Sequence, residues 1–161
     1  MDDHATETMG AAREERALAV LRLALGAMFI WVFFENLGKG AYTPAGYKGV
    51  IDYYVKMGHA PDFWKSLISV ASANPRIFAP LQAVTELGLG LLLVAGVATR
   101  VVAAAAGAWL LTLWVTELGA AWPWELAMYV VVAFCCAWAR AGRTWGADAL
   151  LARRIPGWRL G

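Results

Sequence analysis

Residues 77–98 read IFAPLQAVTELGLGLLLVAGVA, and this stretch decides the fold. A helix needs about 20 apolar residues to cross a hydrocarbon core. This stretch has that length and carries a single acid, Glu86. Residues 17–37, 101–118 and 124–139 have the same character, the last with little length to spare. None shows the strict alternation of a barrel strand. The whole chain agrees: of 161 residues 60% are hydrophobic and 16% charged, and the mean hydropathy is +0.54. Soluble domains are about 45–50% apolar and about 25% charged. A soluble enzyme is therefore excluded, and so is disorder, which needs low hydrophobicity. A net charge of +2 offers no nucleic-acid surface. The expected fold is all-α, a single integral membrane four-helix bundle.

Arginine and lysine placement orients the spans. With four spans both termini share a side, which holds Arg13, Arg16, Arg22, Arg100, Arg140, Arg143, Arg153, Arg154 and Arg159. The opposite side holds Lys39, Lys48, Lys56, Lys65 and Arg76. The imbalance predicts a multi-pass protein of the cell membrane with both termini cytoplasmic. Residues 1–16 form a polar N-terminus, and no small-residue cleavage site follows the first apolar core, so span one is not expected to be a signal peptide. Residues 17–140 make the transmembrane domain and 141–161 a basic tail. Arg22 and Arg100 are expected to snorkel to the inner headgroups.

Residues 38–76 are too long for a structureless connection. Thr43-Pro44 is a helix start and Gly58 a stop, with Tyr47, Val50, Ile51 and Tyr54 at helical spacing. Pro61-Asp62 starts a second helix that ends near Asn74-Pro75, with Phe63, Trp64, Leu67, Ile68 and Ala71 on one face. Two short amphipathic helices are thus expected in the first outer loop. They either form a lid over the bundle or rest on lipid. In the tail, residues 147–154 suit a short surface helix with Trp145 and Trp158 as anchors, and its basic character suits anionic lipid.

Charge within a span is expensive and points to function. Glu86 is expected near the bilayer midplane, with Gln82 one turn before it and Gly90 one turn after it on the same face. A glycine there lets a neighbouring helix approach closely. Glu35, Glu117 and Glu125 fall at the outer ends of spans one, three and four. They are expected to converge beneath the lid among Trp31, Phe34, Trp114, Trp122, Trp124 and Tyr129, with His59 of the lid facing them. Such a constellation suits a membrane quinone, which needs an aromatic slot, donors at its oxygens and a proton path. Glu86, Glu35 and Glu117 are the candidate catalytic residues. Trp31, Gln82, Glu125, Lys39 and His59 are the candidate quinone-binding residues. Each feature also has a structural account. The aromatics suit an interfacial belt, Glu35 and Lys39 have the spacing of a surface pair, and Glu117 and Glu125 suit solvated helix ends. Cys135 and Cys136 are adjacent in an apolar run and suit packing. No histidine lies in a span and no zinc spacing occurs, so neither haem nor metal is expected.

The run from Leu81 through Glu86-Leu87-Gly88 to Gly96, then Ala98-Thr99-Arg100, resembles the second-span signature of the DoxX/DoxD family. Arg22-Leu23-Ala24-Leu25-Gly26 with Phe29 resembles its first span, and Gly142-Arg143-Thr144-Trp145-Gly146-Ala147-Asp148 its Gly-Asp tail. The long first loop is closer to the DoxD-like branch. One departure stands out: where the family often has Gly-x-x-Lys near the end of span one, this chain has Phe33-Phe34-Glu35-Asn36, and its lysine is Lys39. The resemblance implies a four-helix membrane bundle linked to redox chemistry. The DoxD-type protein is the membrane subunit of a thiosulfate:quinone oxidoreductase, and other members are implicated as anchors for soluble oxidative-stress or sulfur-transfer enzymes. Two functions stay open. One is a quinone-interacting subunit of a small oxidoreductase, with the bilayer, a quinone and a second redox subunit as partners. The other is a non-catalytic structural or accessory subunit of a larger membrane redox complex.

Overall fold

The computed structural model describes residues 3–155 and residue 158, with side chains at residue 10 and from residue 12 onward. Arg159 lies outside the described residues. Every regular element among them is helical: α1 (Asp3–Gly38), α2 (Pro44–Met57), α3 (Asp62–Ala73), α4 (Pro75–Ala95), α5 (Thr99–Thr116), α6 (Pro123–Trp138), a 3-10 turn (Ala141–Arg143) and α7 (Ala147–Arg154). Three stretches, Ala12–Gly38, Pro75–Ala95 and Thr99–Thr116, are long and apolar enough to cross a membrane. The fourth apolar helix, Pro123–Trp138, is shorter. At 1.5 Å per residue it spans about 24 Å, because Pro123 opens it and the chain turns left-handed at Arg140 (φ 52°).

The ends of these helices have local causes. Pro123, Pro75 and Pro44 each stand in a first helical turn, where the missing N–H is no loss. Thr43 caps α2, its hydroxyl accepting from Gly46 N at 3.1 Å. Gly96 ends α4 in a left-handed conformation (φ 66°), and Gly96 N and Val97 N return to the carbonyls of Leu93 and Leu92. The α4–α5 turn is therefore Gly96–Ala98, and Thr99 and Arg100 already belong to α5. The helix through span one starts well before residue 17, because the polar segment from Asp3 continues the same helix.

α1 packs against α4 and α6, and α5 packs against α4 and α6. Between them lies one core of Leu25, Phe29, Leu93, Val102, Ala103, Ala106, Leu110, Ala133, Cys136 and Ala137. The tightest approach is at Gly26 and Gly90. A methyl added at Gly90 would lie 2.8 Å from Ile30 Cγ1 and 3.1 Å from the Gly26 carbonyl oxygen. Large apolar side chains face outward: Trp138 is 91% exposed, and Val84, Ile77, Trp31 and Phe34 are all more than half exposed. An apolar exterior of this extent belongs in lipid, since soluble monomers rarely expose one.

α2 and α3 pack on the first half of α4. Tyr47 and Ile51 are buried against Ala79, with Val55, Ile68, Ala71 and Phe78 around them. The sequence grouped five residues on one face of α3, and the structure divides them. Ile68 and Ala71 turn inward, Trp64 Nε1 donates to Thr116 Oγ1 at 3.0 Å, and Phe63 and Leu67 stay exposed. These contacts define a lid end of the molecule. The opposite, tail end is closed by α7. There Asp148 is fully buried. Its carboxylate accepts from Ala98 N and Thr99 N, each at 2.8 Å, and from Trp158 Nε1 at 3.0 Å. Asp148 thus caps α5 from across the fold, where the left-handed Ala98 (φ 46°) has no side chain to do so.

Arg22 corrects the snorkelling expectation. It is 0% exposed, and Nη2 donates to the Trp145 carbonyl at 3.0 Å. The guanidinium lies against Gly96 and Gly146, where any β-carbon would collide with it. Gly142 lies equally close to Thr99 and Asp148. The glycines of the tail are there to let this end close. Arg100, by contrast, is exposed.

Candidate functional site

Glu86 is the buried acid of the lid end, 1% exposed. Three donors meet its carboxylate. Gln82 Nε2 reaches Oε1 at 2.8 Å from one turn earlier on α4. Asn36 Nδ2 reaches Oε2 at 3.2 Å from α1. The Tyr42 hydroxyl makes a short hydrogen bond to Oε2 from the α1–α2 connection. Buried polar groups are costly unless paired, and this one is paired from three segments. The pairing also fixes its level. Glu86 is at the middle of α4 yet beside Asn36, two residues from the end of α1. It therefore lies level with the end of α1, because the first half of α4 continues past α1 to meet α2 and α3.

Tyr42 and Asn36 were not singled out as ligands of Glu86 by sequence. The available signal was position: Tyr42 immediately precedes the Thr43-Pro44 helix start, so the chain there must turn back over the end of α1. Phe33 holds the ring, stacked at 5.4 Å between centroids. Burial and the bond to Glu86 push the Tyr42 hydroxyl pKa well up, so it remains a proton donor.

Phe33 also packs edge-on against Phe34 at 5.2 Å. Phe34 is a wall of a groove of about 570 Å³ formed with Ala27, Ile30, Trp31, Glu35 and Val94. Trp31 and Glu35 thus share one apolar groove on the α1–α4 seam, while Glu35 is paired with Lys39 at 2.5 Å and exposed. The other acids lie elsewhere at the lid end. Glu117 follows α5 and lies near Tyr54 of α2 and Glu125 of α6. Burial pushes the Glu117 carboxyl above the usual carboxylate range, and Glu125 pushes it the same way. Glu125 is exposed in a separate groove with Trp122, Trp124, Met128 and Tyr129. The His59 ring rests against Gly119, and its backbone N–H donates to the Leu118 carbonyl at 2.5 Å. The structure therefore joins Gln82 to Glu86, Trp31 to Glu35, and Glu117 to Glu125. Among the described residues no hydrogen bond or ion pair links Glu35 to Glu117 or Glu125, and none holds three or more metal-type ligands together.

Chemically, the Glu86 cluster sets a phenol against a carboxylate that is 1% exposed, and Phe33 and Phe34 lead from that phenol to an apolar groove. Comparison with curated proteins and with solved structures finds no match. Residues 17–119, which contain α2, α3, α4, α5 and the whole Glu86 cluster, match the model of the DoxX family, and the chain belongs to that family of membrane proteins.

Proposed function

We propose that this chain is a quinone-interacting membrane subunit of a small oxidoreductase, of the DoxD-like kind that couples oxidation of thiosulfate or a related sulfur compound to quinone reduction. In this reading α6 is the fourth crossing, both termini are cytoplasmic and the lid faces outward. One observation carries the reading: the buried Glu86–Tyr42 pair is joined through Phe33 to the aromatic groove of Trp31 and Phe34. The groove suits a flat headgroup with an isoprenoid tail. Its walls are apolar, its volume is about 570 Å³, and Glu35 supplies a polar group at one end. A bound quinone supplies a two-electron, two-proton acceptor. Trp31 and Phe34 would flank it, and Glu35 would orient it. Tyr42 would hand on its proton, and a proton taken up at Glu86 would pass across their hydrogen bond to restore the phenol. Asn36 and Gln82 fix the Glu86 carboxylate so that little reorganisation is needed. Glu117 and Glu125 with His59 would form the aqueous proton exit. Lys39 and the lid lysines would draw an anionic substrate, an effect weakened by salt. The electron donor is that substrate or a second redox subunit.

The test is quinone reduction by the purified protein with its donor. Glu86→Gln and Tyr42→Phe should each abolish turnover while the helical content stays, and the Glu35→Gln/Glu117→Gln double variant should do the same. Unchanged turnover in all three discards the reading. The non-catalytic accessory role has its own support. Glu86 finds all its partners within the chain, and the exposed Trp138 and Val131 give α6 a face for a larger assembly. A chain that binds no quinone and is folded only inside a larger complex would establish that role instead.

A further inference from the structure

At the tail end four arginines from three segments face one cavity of about 710 Å³: Arg100 from the first turn of α5, Arg140 and Arg143 from the turn after α6, and Arg153 from α7. Trp158, Ala149 and Ala152 complete it, and no carboxylate lines it among the described residues. The nearby acids are engaged elsewhere. Asp148 is fully buried and holds Ala98, Thr99 and Trp158. Glu15 accepts from Thr144 at 3.2 Å and lines an adjoining, smaller cavity that Arg140 and Arg143 also border. Among the described residues one carboxylate, Glu15, stands beside these four like charges, which repel one another unless an anion joins them.

Arg140 sharpens the point. It sits just past α6 with φ 52°, the position at which glycine is the unstrained residue. An arginine there gains nothing from the fold and places its guanidinium at the cavity. Guanidinium forks match phosphate oxygens in pairs. The surroundings are those of a membrane surface: Trp138 and Trp145 are exposed at the same end, and Val101, beside Arg100, is half exposed on the apolar face of α5. We propose that this cavity is a specific site for a lipid headgroup bearing two phosphates, clamped between α5, α7 and the turn after α6. The volume exceeds what one phosphate fills, and four guanidinium groups call for more than one negative charge.

The full-length protein, reconstituted in phosphatidylcholine vesicles doped with diphosphatidylglycerol or with phosphatidylglycerol at equal total charge, is released and its retained lipid read by native mass spectrometry. Diphosphatidylglycerol should be retained preferentially. Arg140→Gly and Arg153→Gln should each weaken retention roughly fivefold, the worth of one arginine at a membrane surface. Arg154→Gln changes the charge equally but lies outside the cavity, and should leave retention intact. Arg140→Gly should not lower the melting temperature, since glycine accepts that backbone, so its loss of lipid would not reflect unfolding. Equal retention of phosphatidylglycerol, or an equal loss in Arg154→Gln, would reduce the site to diffuse attraction and overturn the proposal. So would protection by inorganic pyrophosphate in lipid-free detergent equal to that by the lipid, which would make the ligand a soluble anion.

Discussion

The lid end of the molecule buries one charged-type side chain, Glu86, and the tail end buries two, Arg22 and Asp148, and the two ends treat them in opposite ways. At the lid end Glu86 meets three donors from three segments, and both carboxylate oxygens are used. At the tail end Arg22 has one acceptor among the described residues, the Trp145 carbonyl, and its Nε and Nη1 have no partner among them. Its attraction is to Asp148, whose oxygens are already bonded to backbone amides and Trp158. One cluster is a satisfied network in which a phenol is bonded to a carboxylate. The other is a close-packed lock that glycines make possible. The difference teaches that burial alone does not mark a reactive site. What distinguishes Glu86 is a titratable hydroxyl bonded directly to its carboxylate, whereas the described bond of Arg22 is to a backbone carbonyl.

That contrast breaks first at Asp148. Replacing it with Ala strips the acceptor from one buried and two part-buried donors, each worth about 1–3 kcal/mol when orphaned away from water. The expected loss is about 3–5 kcal/mol in reversible detergent unfolding. A change under about 1 kcal/mol would show that the tail end is not locked by this residue.

A smaller effect is expected at the α1–α4 seam. Gly90→Ala puts a methyl 2.8 Å from Ile30 and should cost about 1–3 kcal/mol by overpacking. Gly88→Ala, two residues away with nothing within 4 Å, should be neutral or stabilise by up to about 1 kcal/mol through helix propensity. Thermal unfolding of the two variants side by side checks this. Equal losses would deny that backbone contact sets the seam.

The smallest effect concerns pH at the lid. The Glu117 carboxyl is raised above its ordinary 4.5, so the folded protein holds that proton more tightly than the open form. The stability this lends the docked lid is full below pH 4.5 and is lost as pH rises through the raised folded value. Melting temperature should therefore decline over that window in the wild type, and the decline should flatten in Glu117→Gln. An unchanged slope in the variant would assign the dependence to another group.

Much of the lid was legible because its signals are local. Thr43-Pro44 and Gly58 fall at the ends of α2, and Pro61-Asp62 and Asn74-Pro75 bound α3. Gln82 and Gly90 were readable beside Glu86 because one-turn spacing needs no tertiary knowledge. Tyr42 and Asn36 were not, since they arrive from 44 and 50 residues away.

Composition and apolar run length by themselves determined an all-helical membrane protein, because transfer to lipid depends on how much apolar surface a stretch carries and not on its neighbours. Only the tertiary structure decided which polar groups meet. Hydrogen bonds act over about 3 Å, so the partners of Glu86, Arg22 and Asp148 exist only once helices distant in sequence are packed together.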